Sequence, residues 1–215
     1  MRLESIQVGQ TRSYGVEGAS DPNQRPWTSA IRKEPVDGQV WAGREGLSGD
    51  HQYDRKHHGG PERALLMYAM AHYPYWRSEW GRTDVGPGAF GENLTVRGLD
   101  EDTACLGDVY RVGEVRMEVS SPRTPCSNLS KRHGIGDLVK TIVQNNRSGW
   151  YLRVLQEGWL ESGTPIELLD RPYPQWTVRR AAEVRRMRND RREEARMLAA
   201  CPALQSGWRE VLALV

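Results

Sequence analysis

The chain lacks an apolar run that could cross a bilayer, because no stretch approaches the roughly 18 residues that such a span needs. It holds three cysteines, and an odd, widely spaced set is a poor disulfide framework. Its first residues, MRLESIQVGQ, carry charge where a secretory signal needs an apolar segment. We therefore expect a cytoplasmic protein with reduced thiols and no membrane partner.

Several enzyme signatures are also missing from the sequence. It contains no phosphate-binding Walker loop, no dinucleotide fingerprint, no serine elbow and no HExxH zinc pattern. Hydrophobic residues nevertheless make up 38% of the 215 residues and charged residues 27%, which is typical of a globular chain with a real core. The function must therefore come from a less common arrangement of side chains.

Short strands separated by glycine and proline dominate the first 170 residues. Val115, Met117 and Val119 alternate with charged residues, which is the period-two pattern of a half-buried strand. Residues 106–113 alternate similarly across a Gly113–Glu114 turn and predict a hairpin. Many short strands with regular turns favour a barrel or a sandwich. Further predicted strands cover 3–8, 39–42, 93–96, 151–155 and 165–169, and predicted helices cover 62–70, 73–80 and 137–145.

The composition changes after a proline-containing linker at 171–176. Helical patterns follow at about 178–188, from Asp190 with a capping-box-like Glu193, and from Ser206. We therefore predict a fold that is mainly β with α. A barrel domain with marginal helices spans residues 1–170, and a small three-helix domain spans residues 171–215.

The segment SSPRTPCSNL (120–129) places Arg123 and Cys126 three residues apart on a loop stiffened by two prolines. A nearby guanidinium favours the thiolate, which is the form that binds metals and attacks electrophiles. The alternative interpretation is an ordinary buried loop cysteine. We expect Cys105 and Cys201, which lie in other contexts, to be ordinary buried residues.

Two other loops carry polar residues of interest. DHQYDRKHHGG (50–60) brings His57 and His58 next to a glycine pair, which lets the backbone approach a ligand closely. A polar surface loop is the competing interpretation, and a zinc site is disfavoured because adjacent histidines do not easily chelate one ion. GPGAFGENLT (86–95) surrounds the single phenylalanine and precedes a predicted strand.

Taken in order, seven segments resemble the MOSC domain, which is named after the C-terminal part of molybdenum cofactor sulfurase. The residues from Val178 to Leu212 resemble the small three-helix domain that ends YiiM-like members of that family. The matching segments are TSAIRKEPVDGQV (28–40), GLSGDHQYDRKHHGGPERAL (46–65), HYPYW (72–76), PGAFGENL (87–94), GDVYRVG (107–113), SSPRTPC (120–126) and GWYLRVL (149–155).

The resemblance implies a β-barrel with a cleft for the molybdenum cofactor, molybdopterin, and a reductase acting on N-hydroxylated compounds such as hydroxylamino base analogues. It implies that Cys126 is the metal ligand and, with His58, a catalytic residue. Asn128 departs from the family, which often has a lysine there, so another cation such as Lys131, Arg132 or Arg153 would be needed. The expected cofactor-binding residues are His57, His58, Gly59, Gly60, Glu92, Asn93, Arg123 and Arg153.

The expected partners are a small N-hydroxylated substrate and an electron-donor protein, and a homodimer is the default assembly. One alternative is a sulfur carrier that holds a persulfide on Cys126. Another is a nucleic-acid-binding adaptor that uses the arginines between Arg179 and Arg196. Acidic residues interleave with those arginines, and the chain has 26 Arg against 4 Lys throughout, so we favour a solvated face and expect no nucleic-acid partner.

Overall fold

The structure is a computed structural model that describes residues 1–55 and 59–215. Thirteen strands lie in the described part of the chain. They are β1 (Arg2–Gly9), β2 (Arg12–Tyr14), β3 (Trp27–Ser29), β4 (Lys33–Pro35), β5 (Gln39–Gly43), β6 (Gly46–Leu47), β7 (Leu65–Ala69), β8 (Leu94–Arg97), β9 (Val109–Val112), β10 (Val115–Pro122), β11 (Trp150–Gln156), β12 (Gly158–Glu161) and β13 (Ile166–Asp170).

Eight strands form one mixed sheet in the order β13-β9-β10-β11-β7-β8-β1-β4. β7 and β8 pair in parallel, and the other neighbouring strands of this sheet are antiparallel. The amide of Leu3 donates to the Thr164 carbonyl at 3.0 Å, and the amide of Ile166 donates to the Met1 carbonyl at 3.0 Å. The sheet therefore curls until the segment around Thr164 meets β1, and the predicted barrel-like architecture is confirmed.

The predicted hairpin is confirmed as β9 and β10, joined at Gly113 with a φ of 57°. Such a left-handed conformation suits glycine because it has no Cβ. Val115, Met117 and Val119 are each 0% exposed, so the alternating apolar side chains face the core as the period-two pattern predicts. β10 then runs on to Pro122 and delivers the Cys126 loop at its end.

The helix predicted over 62–70 is wrong. Pro61–Arg63 forms a single 3-10 turn, and Leu65–Ala69 is strand β7, in which all five residues are buried. A short apolar run fits a strand with both faces covered as well as it fits a buried helix, so periodicity does not separate the two. Pairing with β11 and β8 on its two edges decides the outcome.

Six α-helices lie in the described residues, and the longest has nine residues. The predictions over 73–80 and 137–145 are confirmed, and the tail contains the three predicted helices. No described helix is long and apolar enough to cross a membrane. The helices are α1 (Tyr73–Trp80), α2 (Ser127–His133), α3 (Leu138–Asn145), α4 (Val178–Arg186), α5 (Arg192–Ala199) and α6 (Ser206–Ala213).

The tail helices pack directly on the barrel. Val184, Leu198 and Leu212 are 0% exposed and belong to the same hydrophobic core as the barrel strands. The capping box predicted at Asp190 does not form, because α5 begins at Arg192 without a side-chain cap. The apolar core continues across residue 170. The division of the chain into two domains at that residue stays a prediction.

A second, aromatic core supports the 86–94 loop. The ring of Phe90 stacks on Tyr68 with centroids 4.6 Å apart, and Trp76 and Trp80 lie within 6 Å of it. His133, at the end of α2, closes this core beside Trp80 and places its Nε2 atom 2.8 Å from the Ala89 carbonyl oxygen. The only phenylalanine in the chain therefore holds the glycine-rich loop against α1 and α2.

His133 makes the stability of the protein depend on pH. Burial is the main cause that lowers its pKa from 6.5 to about 4. The unfolded chain takes up a proton near pH 6.5 and the folded chain only near 4, so stability falls as the pH drops through this window. The loss should reach up to about 3 kcal/mol. Urea unfolding of the wild type and of His133→Gln between pH 7.5 and 4 measures it, and equal losses in both proteins would contradict this assignment.

Candidate functional site

Cys126 lies between β10 and α2, and it is the residue that precedes the first turn of α2. It is partly exposed, whereas Cys105 and Cys201 are buried, and none of the three forms a disulfide. Burial raises the pKa of both Cys105 and Cys201. The predicted contrast between one accessible cysteine and two ordinary core cysteines is therefore confirmed.

A cavity opens beside Cys126 and, with its mouth, encloses about 640 Å³. The predicted convergence of the 50–60, 86–94 and 120–126 loops on one cleft is confirmed by the described residues. The lining residues come from six parts of the chain: Ser29, Ala30, Ile31 and Lys33; Asp50, His51, Gln52, Tyr53 and Asp54; Arg63 and Leu66; Gly91 and Asn93; Arg123, Cys126 and Asn128; and Tyr151.

Arg123 gives the strongest indication of the kind of ligand that this cavity suits. It is 6% exposed, and its backbone amide donates to the Gly149 carbonyl at 3.0 Å. Its Nε and Nη1 atoms are buried and have no hydrogen-bond partner among the described residues. A buried cation with unused donors is costly unless an anion satisfies it. Arg123 therefore has hydrogen-bond donors available for a negatively charged group at this cavity.

A second cation, Lys33, is held in the wall of the cavity by Asp50. Their side chains are 8% and 2% exposed and form an ion pair. Asp50 also accepts from the Gly9 amide at 2.7 Å and from Asn93 Nδ2 at 2.8 Å. Burial is the largest influence on Lys33 and lowers its pKa, while Asp50 opposes that shift. The carboxylate thus opposes the loss of charge that burial favours at this amine.

Asn93, a predicted cofactor-binding residue, lines the cavity and also ties three elements together. Its Oδ1 accepts from the Leu66 amide at 3.1 Å, and its Nδ2 donates to Asp50. We expect Asn93→Ala to destabilise the protein by about 2–4 kcal/mol, because it leaves a buried amide and part of a buried carboxylate unsatisfied. Urea denaturation with the exposed Asn189→Ala as control measures this, and equal stabilities of the two variants would argue against the role.

Glu92 was predicted to bind the cofactor, but the structure places it behind the cavity. It is 0% exposed, and its carboxylate accepts from Tyr73 Oη at 2.5 Å and from the amides of Gly88 and Phe90 at 2.5 and 2.9 Å. Burial raises its pKa and these hydrogen bonds oppose the shift. Glu92 therefore positions the glycine-rich loop and is not among the described residues that line the cavity.

Arg153 was also predicted at the cofactor, but its guanidinium is engaged elsewhere. It donates to Glu118 at 2.6 Å, to the Ala203 carbonyl at 2.9 Å and to Glu62 at 3.0 Å. These contacts join β10 and β11 to the tail. Arg153 is not among the described residues of the cavity lining, and its cofactor-binding role stays a prediction.

The glycine pair lies one layer behind the lining. A Cβ added at Gly59 would stand 2.2 Å from Oε1 of Gln52, and Gly60 has a φ of 83°. Gly60 is favoured by its positive φ, and Gly59 lets the backbone pack closely against the side chain of Gln52, which itself faces the cavity. His57 and His58 lie outside the described residues, so their predicted roles stay predictions.

The cations suggested in place of a lysine at position 128 lie elsewhere, although Asn128 itself lines the cavity. Lys131 stands 5.9 Å from the ring centroid of Trp27. Arg132 donates to the carbonyls of Ile31 and Gly88 at 2.5 and 2.6 Å, and burial lowers its pKa to about 10. The cations that line the described cavity are instead Lys33, Arg63 and Arg123.

Lys33, Arg63 and Tyr151 were missed as site residues by the sequence analysis. Each lies inside a segment that resembles the MOSC domain, but none carries a local chemical signature. Tyr151 is 7% exposed, and burial raises its pKa, an effect that Arg123 and Arg63 oppose. A systematic inventory of the cations within the matching segments would have found two of the three.

The chain is similar to known proteins in sequence and in overall fold. The MOSC domain family matches residues 54–167. Protein YiiM of Escherichia coli (strain K12) is 37% identical over 195 residues, which cover 89% of this chain and 85% of that protein. The crystal structure of YiiM from Geobacillus stearothermophilus superposes with a TM-score of 0.82 at 34% identity, covering 99% of this chain and 97% of the other.

Two further relatives are matched by this chain over only part of their length. A protein named Reductase from Gibberella moniliformis is 40% identical over 182 residues, which cover 82% of this chain and 31% of that protein. The uncharacterized protein YflK from Bacillus subtilis is 43% identical over 143 residues, which cover 66% of this chain and 64% of that protein. The chain thus spans less than two thirds of the length of either relative.

Proposed function

Because the chain belongs to the MOSC domain family, we propose that it is an oxidoreductase that holds the molybdenum cofactor and reduces N-hydroxylated compounds to amines. The observation that carries this proposal is one cavity that combines the accessible thiol of Cys126 with Arg123, whose Nε and Nη1 atoms have no partner among the described residues. A relative whose name is Reductase supports the reaction class.

The residues of the cavity fit such a cofactor. The molybdenum cofactor is an anionic, sulfur-rich pterin phosphate, so its site needs cations and a soft ligand. Arg123, Lys33 and Arg63 provide the positive charge, and Cys126 provides the sulfur. In the described part of the chain no three His, Cys, Asp or Glu side chains come together as a metal site. Among the described residues, Cys126 is thus the one soft ligand that this wall offers.

The chain's own residues have separable tasks in this reaction. When bound, the cofactor supplies the two-electron chemistry that removes the N–OH oxygen as water. Cys126 would hold the metal as a thiolate, and Arg123 would neutralise negative charge where water is largely excluded. Tyr151, whose pKa is raised by burial, keeps its proton and offers a hydroxyl donor to the cavity. The proton-donor role of His58 remains part of the proposal.

The test is to produce the protein in a host that makes the cofactor, and to measure molybdenum content and pterin fluorescence. Turnover of a hydroxylaminopurine with an artificial electron donor follows, since two electrons and two protons must be supplied for each N–OH reduced. Metal-loaded protein without turnover would contradict the reductase assignment. Release of sulfur from Cys126 to an acceptor, without reduction, would instead favour the sulfur carrier.

A further inference from the structure

A second cavity lies on the other side of the Cys126 loop, between that loop and the tail helices α4 and α6. With its mouth it encloses about 590 Å³. Its ionisable lining residues in the described chain are all arginines: Arg123, Arg185, Arg186 and Arg188. We call this cavity the arginine pocket. Its remaining lining is neutral, so no described carboxylate within it offsets the charge.

Arg185 lines the arginine pocket and keeps one hydrogen-bond donor unused among the described residues. Its guanidinium carbon stands 4.5 Å from the ring centroid of Trp208, and its Nη1 lies 3.5 Å from Oγ1 of Thr124. Its Nε is buried without a hydrogen-bond partner in the described structure. Burial, and then repulsion from Arg188 and Arg63, lower its pKa. These cations repel one another in the absence of a counter-ion.

The two neighbouring arginines make only backbone contacts among the hydrogen bonds described for them. Arg186 Nη1 donates to the Val143 carbonyl at 2.6 Å, and Arg188 Nη1 donates to the Arg185 carbonyl at 3.3 Å. By contrast, Arg179 and Arg180 on the same helix pair with Asp102 and Glu194. Arginines at the start of α4 thus pair with carboxylates, whereas those at its end and just after it line the arginine pocket.

Arg123 belongs to the linings of both cavities. It is 6% exposed, and its Nε and Nη1 atoms lack partners among the described residues. An anion in the arginine pocket would therefore be bound next to the cavity that holds Cys126. Arginine forks suit phosphate oxygens because they donate two parallel hydrogen bonds.

We propose that the arginine pocket binds the dianionic phosphate of a phosphate monoester. Two compounds carry this group: the pterin cofactor itself and a nucleotide form of the hydroxylamino substrate. The second source would extend the substrate class from free bases to nucleotides, and this part rests on the proposed function. The binding of phosphate by the arginine pocket does not rest on the proposed function.

Isothermal titration of cofactor-free protein with inorganic phosphate and with adenosine monophosphate tests the pocket directly. We expect Arg188→Gln and Arg185→Gln to weaken binding of both anions at least about tenfold, since each removes a charge-assisted hydrogen bond. The exposed Arg192→Gln, in the same tail but outside the pocket, should bind as the wild type does. Arg185 also covers Trp208, so Arg188→Gln carries the test if the other variant fails to fold.

The same titrations on cofactor-loaded protein distinguish the two sources. Retained binding of adenosine monophosphate, with unchanged pterin content in Arg188→Gln, assigns the pocket to a nucleotide. Lost binding, with reduced pterin content in Arg188→Gln, assigns it to the cofactor's phosphate. No binding to wild-type protein, or equal binding to wild type and Arg188→Gln, would overturn the proposal. Absent reductase activity would overturn the proposed function and leave the phosphate titration standing.

Discussion

We expect Cys126→Ser to lose reduction of a hydroxylaminopurine by at least about 100-fold, because a hydroxyl is a harder and poorer molybdenum ligand than a thiolate. The side chain is partly exposed at the rim of the cavity, and the exchange removes little volume. The free energy of unfolding should therefore change by about 1 kcal/mol or less. Turnover with an artificial electron donor and urea denaturation measure the two effects.

Cys105→Ser is the matched control for this experiment. Cys105 is buried away from the cavity, and its thiol lies 3.6 Å from the Pro174 carbonyl, a contact that serine can reproduce. This variant should retain turnover. Undiminished activity in Cys126→Ser, measured on protein with full molybdenum content, would rule out the central role of Cys126.

We expect Arg123→Met to separate cofactor binding from stability. Methionine removes a buried charge whose Nε and Nη1 atoms have no partner among the described residues, so the cofactor-free protein should gain about 1–2 kcal/mol of stability. The same change removes one of the two buried cations of the cavity, and Lys33 remains. Pterin and molybdenum content of the purified protein should then fall by about 100-fold, the loss of a charge-assisted interaction worth nearly 3 kcal/mol.

Arg123→Lys provides the control, because it keeps the positive charge while removing the planar fork. It should retain more cofactor than Arg123→Met and gain less stability. A destabilised Arg123→Met protein with normal cofactor content would show that the guanidinium serves the fold and not the ligand.

The fold was predictable wherever the signal was local. The alternation at Val115, Met117 and Val119, the turn at Gly113 and the helical pattern from Ser206 all agree with the structure. The strand at Leu65–Ala69 was not predictable, because a five-residue apolar run satisfies two kinds of buried element. Only its neighbours in the sheet, β11 and β8, decide between them.

The candidate site was likewise predictable only where the signal lay in residues close along the chain. The stiff loop that carries Arg123 and Cys126 was predictable from adjacent residues of the sequence. The two other predicted loops reach the same cavity. Glu92 and Arg153 are not among the described lining residues, and the sequence did not reveal this because sequence position does not show which way a side chain points from a loop or strand. The buried Glu92 satisfies backbone amides, and Arg153 satisfies carboxylates of the fold.

The sequence by itself determined the architecture of short strands and a helical tail, the accessible cysteine and the resemblance to the MOSC domain, because each resides in residues close along the chain. The tertiary structure alone decided which cations surround Cys126. Lys33 and Arg63 lie far from it in sequence and reach it only because the sheet curls and brings separate loops to one opening. Burial and charge balance at such a meeting point are properties of several segments at once, and no single segment encodes them.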